Sequence, residues 1–377
     1  MSFHQCGGNV GDTVNFPLPA WCLEKAKSSG LLYKSKDGVV AEDCLSLSAD
    51  NEKIFPSKSG TRTALQCYQD YMTAFLKFMG SHVGNTICEL QVGMGPCGEL
   101  RYPSYMMSNG WNWPGVGLIM AYDSGMLKML KADTGEAGPP EGFPEDQNAM
   151  PDDVPMFRAN APDPASTGFR SGKGKDDGDF LEWYSSVLIK HGRRLSCASP
   201  THRPLPFQVY PPEKFCFSVK VSGLHWHVTH PSRATEACAG YNCCTSETAD
   251  AYMEIAKMLG AESKTAQRPI LFNFTCMEMT NDSNSGVPKA LSAPEDLIAQ
   301  VRKAAIFHQV PLAGENALEF DLATSQWAFT QIGKQIRSFS PGTGPRTGPR
   351  CCQRSLDETT KRFRNTLPIP TILSFAS

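Results

Sequence analysis

Four short β-rich runs, each ending in small or polar residues and interleaved with helical patterns, constrain this chain more than any other feature. They are TICELQVGMG (86–95), KFCFSVKVSG (214–223), PILFNFTCM (269–277) and VPLAGENAL (310–318). The helical patterns fall at 64–83, 178–195, 247–260 and 294–307. Alternating strand and helix predicts a parallel sheet. The strand runs read as apolar on both faces, with polar chemistry at their C-terminal ends, which is the arrangement of a (β/α)8 barrel. Two stretches break the rhythm. Residues 132–178, rich in Pro, Gly, Asp and Asn, predict a long excursion that either walls a cleft or is a disordered loop, and 339–354 (SPGTGPRTGPRCCQRS) reads as a low-complexity insert.

Composition narrows the function classes. With 377 residues, 41% of them hydrophobic, the chain is long enough for one large domain or two modest ones. Thirty-six basic residues against 38 acidic ones give a formal net charge of -2, so no field gathers phosphates, and neither nucleic acid nor a membrane surface is an expected partner. No apolar run reaches the roughly 18 residues of a spanning helix. The opening MSFHQCGGNVGD has neither a basic n-region nor an apolar h-region, so no signal peptide is visible and localisation stays open between cytoplasm and plastid. The 14 cysteines include no Cys-x2-Cys pair, and Cys88, Cys216 and Cys276 lie inside apolar runs, so buried thiols are favoured over a metal site.

Four segments carry candidate chemistry. In GMGPCGELRYPSYMMSNGWNWPG (93–115), Glu99 follows a glycine-rich strand end and precedes Arg101, Tyr102, Tyr105, Trp111 and Trp113. A carboxyl among aromatics has the setting of a general acid, and the aromatics suit sugar rings; a Glu paired with Arg101 in a loop is the equal alternative. Glu315, in AGENAL, ends another strand, where a second carboxylate facing the first would suit glycoside hydrolysis and where capping the next helix would be the ordinary role. VKVSGLHWHVTH (219–230) brings Lys220, His225, Trp226, His227 and His230 to a third strand end. His-x-His on a strand would turn both rings to one side at metal-ligand spacing, but no acidic residue or third histidine adjoins the pair at ligand spacing on the strand, which favours a polar loop that bonds substrate hydroxyls. HQCGGNVGD (4–12) fits neither the dinucleotide nor the P-loop pattern; His4 and Asp12 among Gly7, Gly8 and Gly11 read as a mobile lid.

Taken together, MSFHQCGGNVGD, QVGMGPCGELRYPSY, SNGWNWPG, KVSGLHW, TEACAGYN, FNFTCMEM and AGENAL, in this order over roughly residues 1–321, resemble the β-amylases, inverting enzymes that release maltose from the non-reducing ends of α-1,4-glucans. The resemblance implies an α/β (β/α)8 TIM-type barrel, an α-1,4-glucan substrate and no metal or other cofactor. It implies Glu99 as general acid and Glu315 as general base, with substrate contacts at His4, Asp12, Lys220, His225, Thr275, Asn316 and Ala317.

Three departures accompany it. The family's Trp-Trp after the histidine is Trp226-His227 here, which alters one aromatic platform. The arginine of the family's Phe-Thr-x-Leu-Arg pattern is replaced by Ser374 in PTILSF (370–375). The chain is expected to begin at the third strand, without the first two βα units and the aspartate of Val-Asp-x-Trp-Trp-Gly. The barrel is then expected over 1–338, followed by the insert and, over 355–377, a terminal helix and last strand. A catalytically weak glucan-binding or regulatory protein is the runner-up reading.

Overall fold

The structure, a computed structural model, describes residues 16–58, 60–158, 177–196, 214–246, 248–317 and 326–338. In chain order its elements are α1 (Ala20–Ser29), β1 (Leu32–Lys34), β2 (Val40–Leu45), β3 (Phe55–Ser57), β4 (Gly60–Arg62), α2 (Ala64–Met79), β5 (Glu89–Gln91) and α3 (Ser124–Thr134). They continue with α4 (Asp177–Leu195), β6 (Cys216–Val221), α5 (Ala234–Ala239), α6 (Ala251–Ala266), β7 (Ile270–Phe274), α7 (Pro294–Phe307), β8 (Leu312–Gly314) and α8 (Gln326–Ser338).

The four strands expected from the sequence form one parallel sheet in the order β5-β6-β7-β8, and two antiparallel hairpins, β1-β2 and β3-β4, stand apart from it. Every residue of β6 and β7 is buried, as expected for central parallel strands. The two faces differ, however. Register pairs Gln91 with Ser218, Lys220 with Asn273, and Asn273 with Ala313. Since side chains alternate along a strand, one face carries Gln91, Ser218, Lys220 and Asn273, and Glu315, two residues beyond Ala313, continues that row. The opposite face is Phe217, Val219, Val221, Ile270, Phe272 and Phe274, and the Phe274 ring meets Tyr252 of α6 edge-on at 5.8 Å. The expectation of two apolar faces is therefore corrected: on β6 and β7 both are buried, but only the helix-facing one is apolar. Closure of the sheet into a barrel does not emerge from the four paired strands.

Helix limits follow local chemistry. Thr63 and Gln66 close a capping box, each side chain bonding the other's backbone N–H, and so fix the start of α2. In α6 the start moves from the expected 247 to 251 because Asp250 accepts from Met253 N at 3.1 Å and serves as N-cap. The described part of the excursion, up to residue 158, is packed. Phe143, Val154, Met156 and Phe157 are buried, and Phe143 reaches Phe180 of α4 at 5.4 Å. The insert at 339–354 and the terminal segment at 355–377, including Ser374, lie outside the described residues.

Candidate active site

The path of the chain after β5 is set by steric necessity. A Cβ at Gly95 would stand 2.6 Å from the carbonyl oxygens of both Glu99 and Arg101, so the loop closes on itself only with glycine there. Beyond the turn at Pro96–Gly98 the chain returns to β6, where Glu99 and Lys220 form a parallel bridge and Leu100 N donates to Lys220 O at 2.8 Å. Tyr241, fully buried after α5, clamps this junction. Its hydroxyl donates to Leu100 O at 2.7 Å and accepts from Ser222 N at 3.1 Å.

Around that junction the side chains form a charged cluster with little water access. Arg101, 3% exposed, donates through Nε to Glu99 Oε2 at 2.8 Å and lies over the Tyr105 ring, 4.2 Å from its centroid. The sequence alternative of an ion pair is thus realised, and it coexists with the buried, aromatic-flanked position. Lys220 Nζ stands 3.3 Å from Glu315 Oε2. Asn273, the register partner of Lys220, donates to Glu315 Oε1 at 2.7 Å, and the Gln91 side chain bonds the same carboxylate. Burial is the main force raising the Glu315 pKa above that of an ordinary carboxyl; Glu99 adds to the rise, while Lys220 and Gln91 oppose it. Burial works to strip Lys220 of its proton, but Glu99 and then Glu315 outweigh it and hold its pKa above the usual lysine value. Lys220 thus stands beside Glu315 and within the field of Glu99, which brings two carboxyls and an ammonium into one interacting group at the strand ends.

The remaining site residues frame this pair. Thr275, 4% exposed, accepts from Gly223 N at 2.6 Å, and a Cβ on Gly223 would press on the same hydroxyl at 2.7 Å. Ala317 N donates to both oxygens of buried Glu278 at 3.0 Å, and Met277 N donates to Glu315 O at 3.2 Å, so the strand-end loops of β7 and β8 are tied together with Asn316 between them. His225 Nδ1 lies 2.9 Å from Ser292 Oγ, and burial lowers its pKa to about 4, leaving it neutral near pH 7. His4 and Asp12 lie outside the described residues.

The paired-imidazole reading is corrected. Residues 222–230 have left the strand, and His227 adopts φ 59° with Nδ1 on Thr235 Oγ1 at 2.8 Å, so the two rings engage different elements. Among the described residues no three His, Cys, Asp or Glu side chains are placed to hold a metal ion. Trp226 instead joins Tyr105 and Trp111, with centroids 5.2 and 5.8 Å away, and both indole N–H groups donate to Gly115 O.

Asn273, Gln91, Glu278 and Tyr241 escaped the sequence reading. The available signal was faint: an isolated polar residue inside an otherwise buried run, as in ILFNF, marks a side chain with a buried partner.

A parallel sheet that gathers two acidic side chains and a buried lysine at its strand ends has the layout of a glycoside hydrolase catalytic domain. The chain belongs to glycosyl hydrolase family 14, whose sequence model matches residues 1–341. It is 43% identical over 327 residues to "Beta-amylase 2, chloroplastic" of Oryza sativa subsp. japonica, covering 84% of this chain and 53% of that protein. To "Beta-amylase 1, chloroplastic" of Arabidopsis thaliana it is 41% identical over 328 residues, covering 84% and 52%. The solved catalytic domain of the β-amylase from Paenibacillus polymyxa superimposes with a TM-score of 0.62 at 26% identity, covering 90% of this chain and 73% of that one. The chain spans about half the length of the curated relatives it matches.

Proposed function

We propose that this chain carries the catalytic machinery of an α-1,4-glucan hydrolase that releases maltose from non-reducing ends, with Glu99 as general acid and Glu315 as general base. The observation that supports this most is the anchoring of Glu315, with Asn273 on one oxygen and Lys220 on the other, beside a Glu99 that is fixed to the next strand. Asn273 and Lys220 aim the base, and Lys220 favours its charged form against the pull of burial. A water between Glu315 and the anomeric carbon would attack as Glu99 protonates the leaving oxygen. Inversion requires the carboxyls roughly 6.5–9.5 Å apart. Lys220, His225, Thr275, Asn316 and Ala317, with His4 and Asp12, are the proposed glucan contacts, and Tyr105, Trp111 and Trp226 the proposed platform for sugar rings. The four parallel strands belong, in this reading, to a (β/α)8 barrel over 1–338, and the chloroplast of its named relatives, a plastid, is its proposed compartment.

The test is maltose release from soluble starch, with the anomer read by proton NMR. The expected product is β-maltose, and Glu99→Gln and Glu315→Gln are each expected to lower turnover by at least about 10²- to 10⁴-fold with little change in melting. Near wild-type turnover in either variant removes that residue from its role. An α-anomer product refutes inversion, and glucan binding without hydrolysis leaves the binding-protein reading.

A further inference from the structure

His191 of α4 is a buried titratable group that the proposed chemistry does not use. Its Nδ1 lies 2.9 Å from each carboxylate oxygen of Asp50, and its Nε2 lies 2.9 Å from Met94 O. Both neighbours accept and neither donates: a backbone carbonyl has no proton to give, and an ionised carboxylate has none either. A neutral imidazole has a single N–H, so it would satisfy one neighbour and turn a lone pair on the other. The imidazolium satisfies both.

The surroundings are few. Burial works against the charged ring, Asp50 from the turn at Leu47–Asn51 favours it, and Arg194 on the same helix disfavours it; the net direction is a pKa above the usual histidine value. Arg194 also reaches Asp50, at 3.4 Å, and Glu262 of α6 is taken up by Arg193. The strand-end loop presents the Met94 carbonyl. One residue along α4, a Cβ on Gly192 would meet Leu100 Cδ2 at 2.8 Å. The helix therefore touches the chain on both sides of Glu99, at Met94 through His191 and at Leu100 beside Gly192.

We propose that His191 is a positioning residue: as an imidazolium bridging Asp50 and Met94 O, it holds the loop that carries Glu99 against Lys220, and its deprotonation releases that loop. The catalytic consequence rests on the hydrolase reading above, whereas the protonation state and the loop contact do not. When the remaining N–H stays on Nδ1 against Asp50, the Nε2 lone pair faces a carbonyl oxygen at 2.9 Å, and movement of the loop relieves it.

Nitrogen-15 NMR of the full chain with labelled histidine, His191 being assigned by loss of its signals in His191→Gln, tests the first half. Both ring nitrogens are expected to be protonated at pH 7; a neutral ring there overturns the proposal. Carbon-13 titration of the Glu315 carboxyl tests the second half without requiring activity. Glu99 raises the Glu315 midpoint, so release of the loop in His191→Gln should lower it, and an unchanged midpoint overturns the proposal. If the wild type releases maltose, His191→Gln should lose about 10²-fold in kcat with KM within about twofold. Adding Asp50→Asn, which restores a matched donor and acceptor between two amides, should recover at least about tenfold of that loss. A fall in melting temperature with unchanged kcat would reduce His191 to a structural role. A wild type without maltose release refutes the hydrolase reading alone, and the two NMR measurements still decide the proposal.

Discussion

At Lys220 two opposing influences meet, and the balance sets an expected pH dependence. As the proposed base Glu315 must be ionised, and its raised pKa is expected to place the acid limb of activity above that of an unperturbed carboxyl. Lys220 opposes the rise, so replacing it by Met removes the opposition and should move that limb to still higher pH; a limb at its wild-type position would show that Lys220 does not tune the base. Tyr241 acts on geometry instead. Tyr241→Phe leaves Leu100 O and Ser222 N without their buried partner. The expected cost is about 1–3 kcal/mol in urea unfolding, read together with a fall in kcat. Glu99, Glu315 and Lys220 were legible because chemistry-bearing residues at strand ends stand out against apolar runs. Tyr241 and Glu278 were not, because their partners lie on segments distant in sequence and no spacing encodes a hydrogen bond between them.

Elements were read well where periodicity and caps agreed. The strand runs all returned as strands, trimmed at both ends, and α7 occupies the expected 294–307. The exceptions trace to single side chains, such as Asp250 delaying α6. Asp123 shows what such a cap costs when buried. It accepts from Met126 N, Ser46 Oγ and Ser48 Oγ, yet burial outweighs these bonds and raises its pKa to about 6. A carboxyl whose folded pKa exceeds its unfolded value favours folding when protonated. The benefit is complete below about pH 4 and is lost as pH rises through about 6, a change on the order of 3 kcal/mol. Asp123→Asn, which keeps a cap but cannot titrate, should flatten the stability profile between those values; a profile as steep as the wild type's would assign the slope to another group.

The parallel sheet and its interleaved helices were legible at the scale of the whole molecule, since the alternation of periods is a property of the chain itself. The two chemically distinct faces of the sheet were less so. Ser218, Lys220 and Asn273 interrupt apolar runs singly, and only strand register shows that they fall on one side. The aromatic cluster has the same character, since Tyr105 and Trp111 come from the loop after β5 and Trp226 from the loop after β6. The shared Gly115 carbonyl of that cluster has an optical consequence. Two indoles pinned to one acceptor, 5.8 Å apart and inclined by 41°, form a chiral pair of coupled chromophores joining segments more than a hundred residues apart. Circular dichroism of the folded protein should therefore contain an exciton couplet that belongs to neither tryptophan alone. Trp111→Phe and Trp226→Phe should each abolish it completely, while a spectrum that loses half its intensity in each variant would mean the rings absorb independently. The couplet would then serve as a spectroscopic gauge of whether these two strand-end loops remain assembled, including when glucan is added.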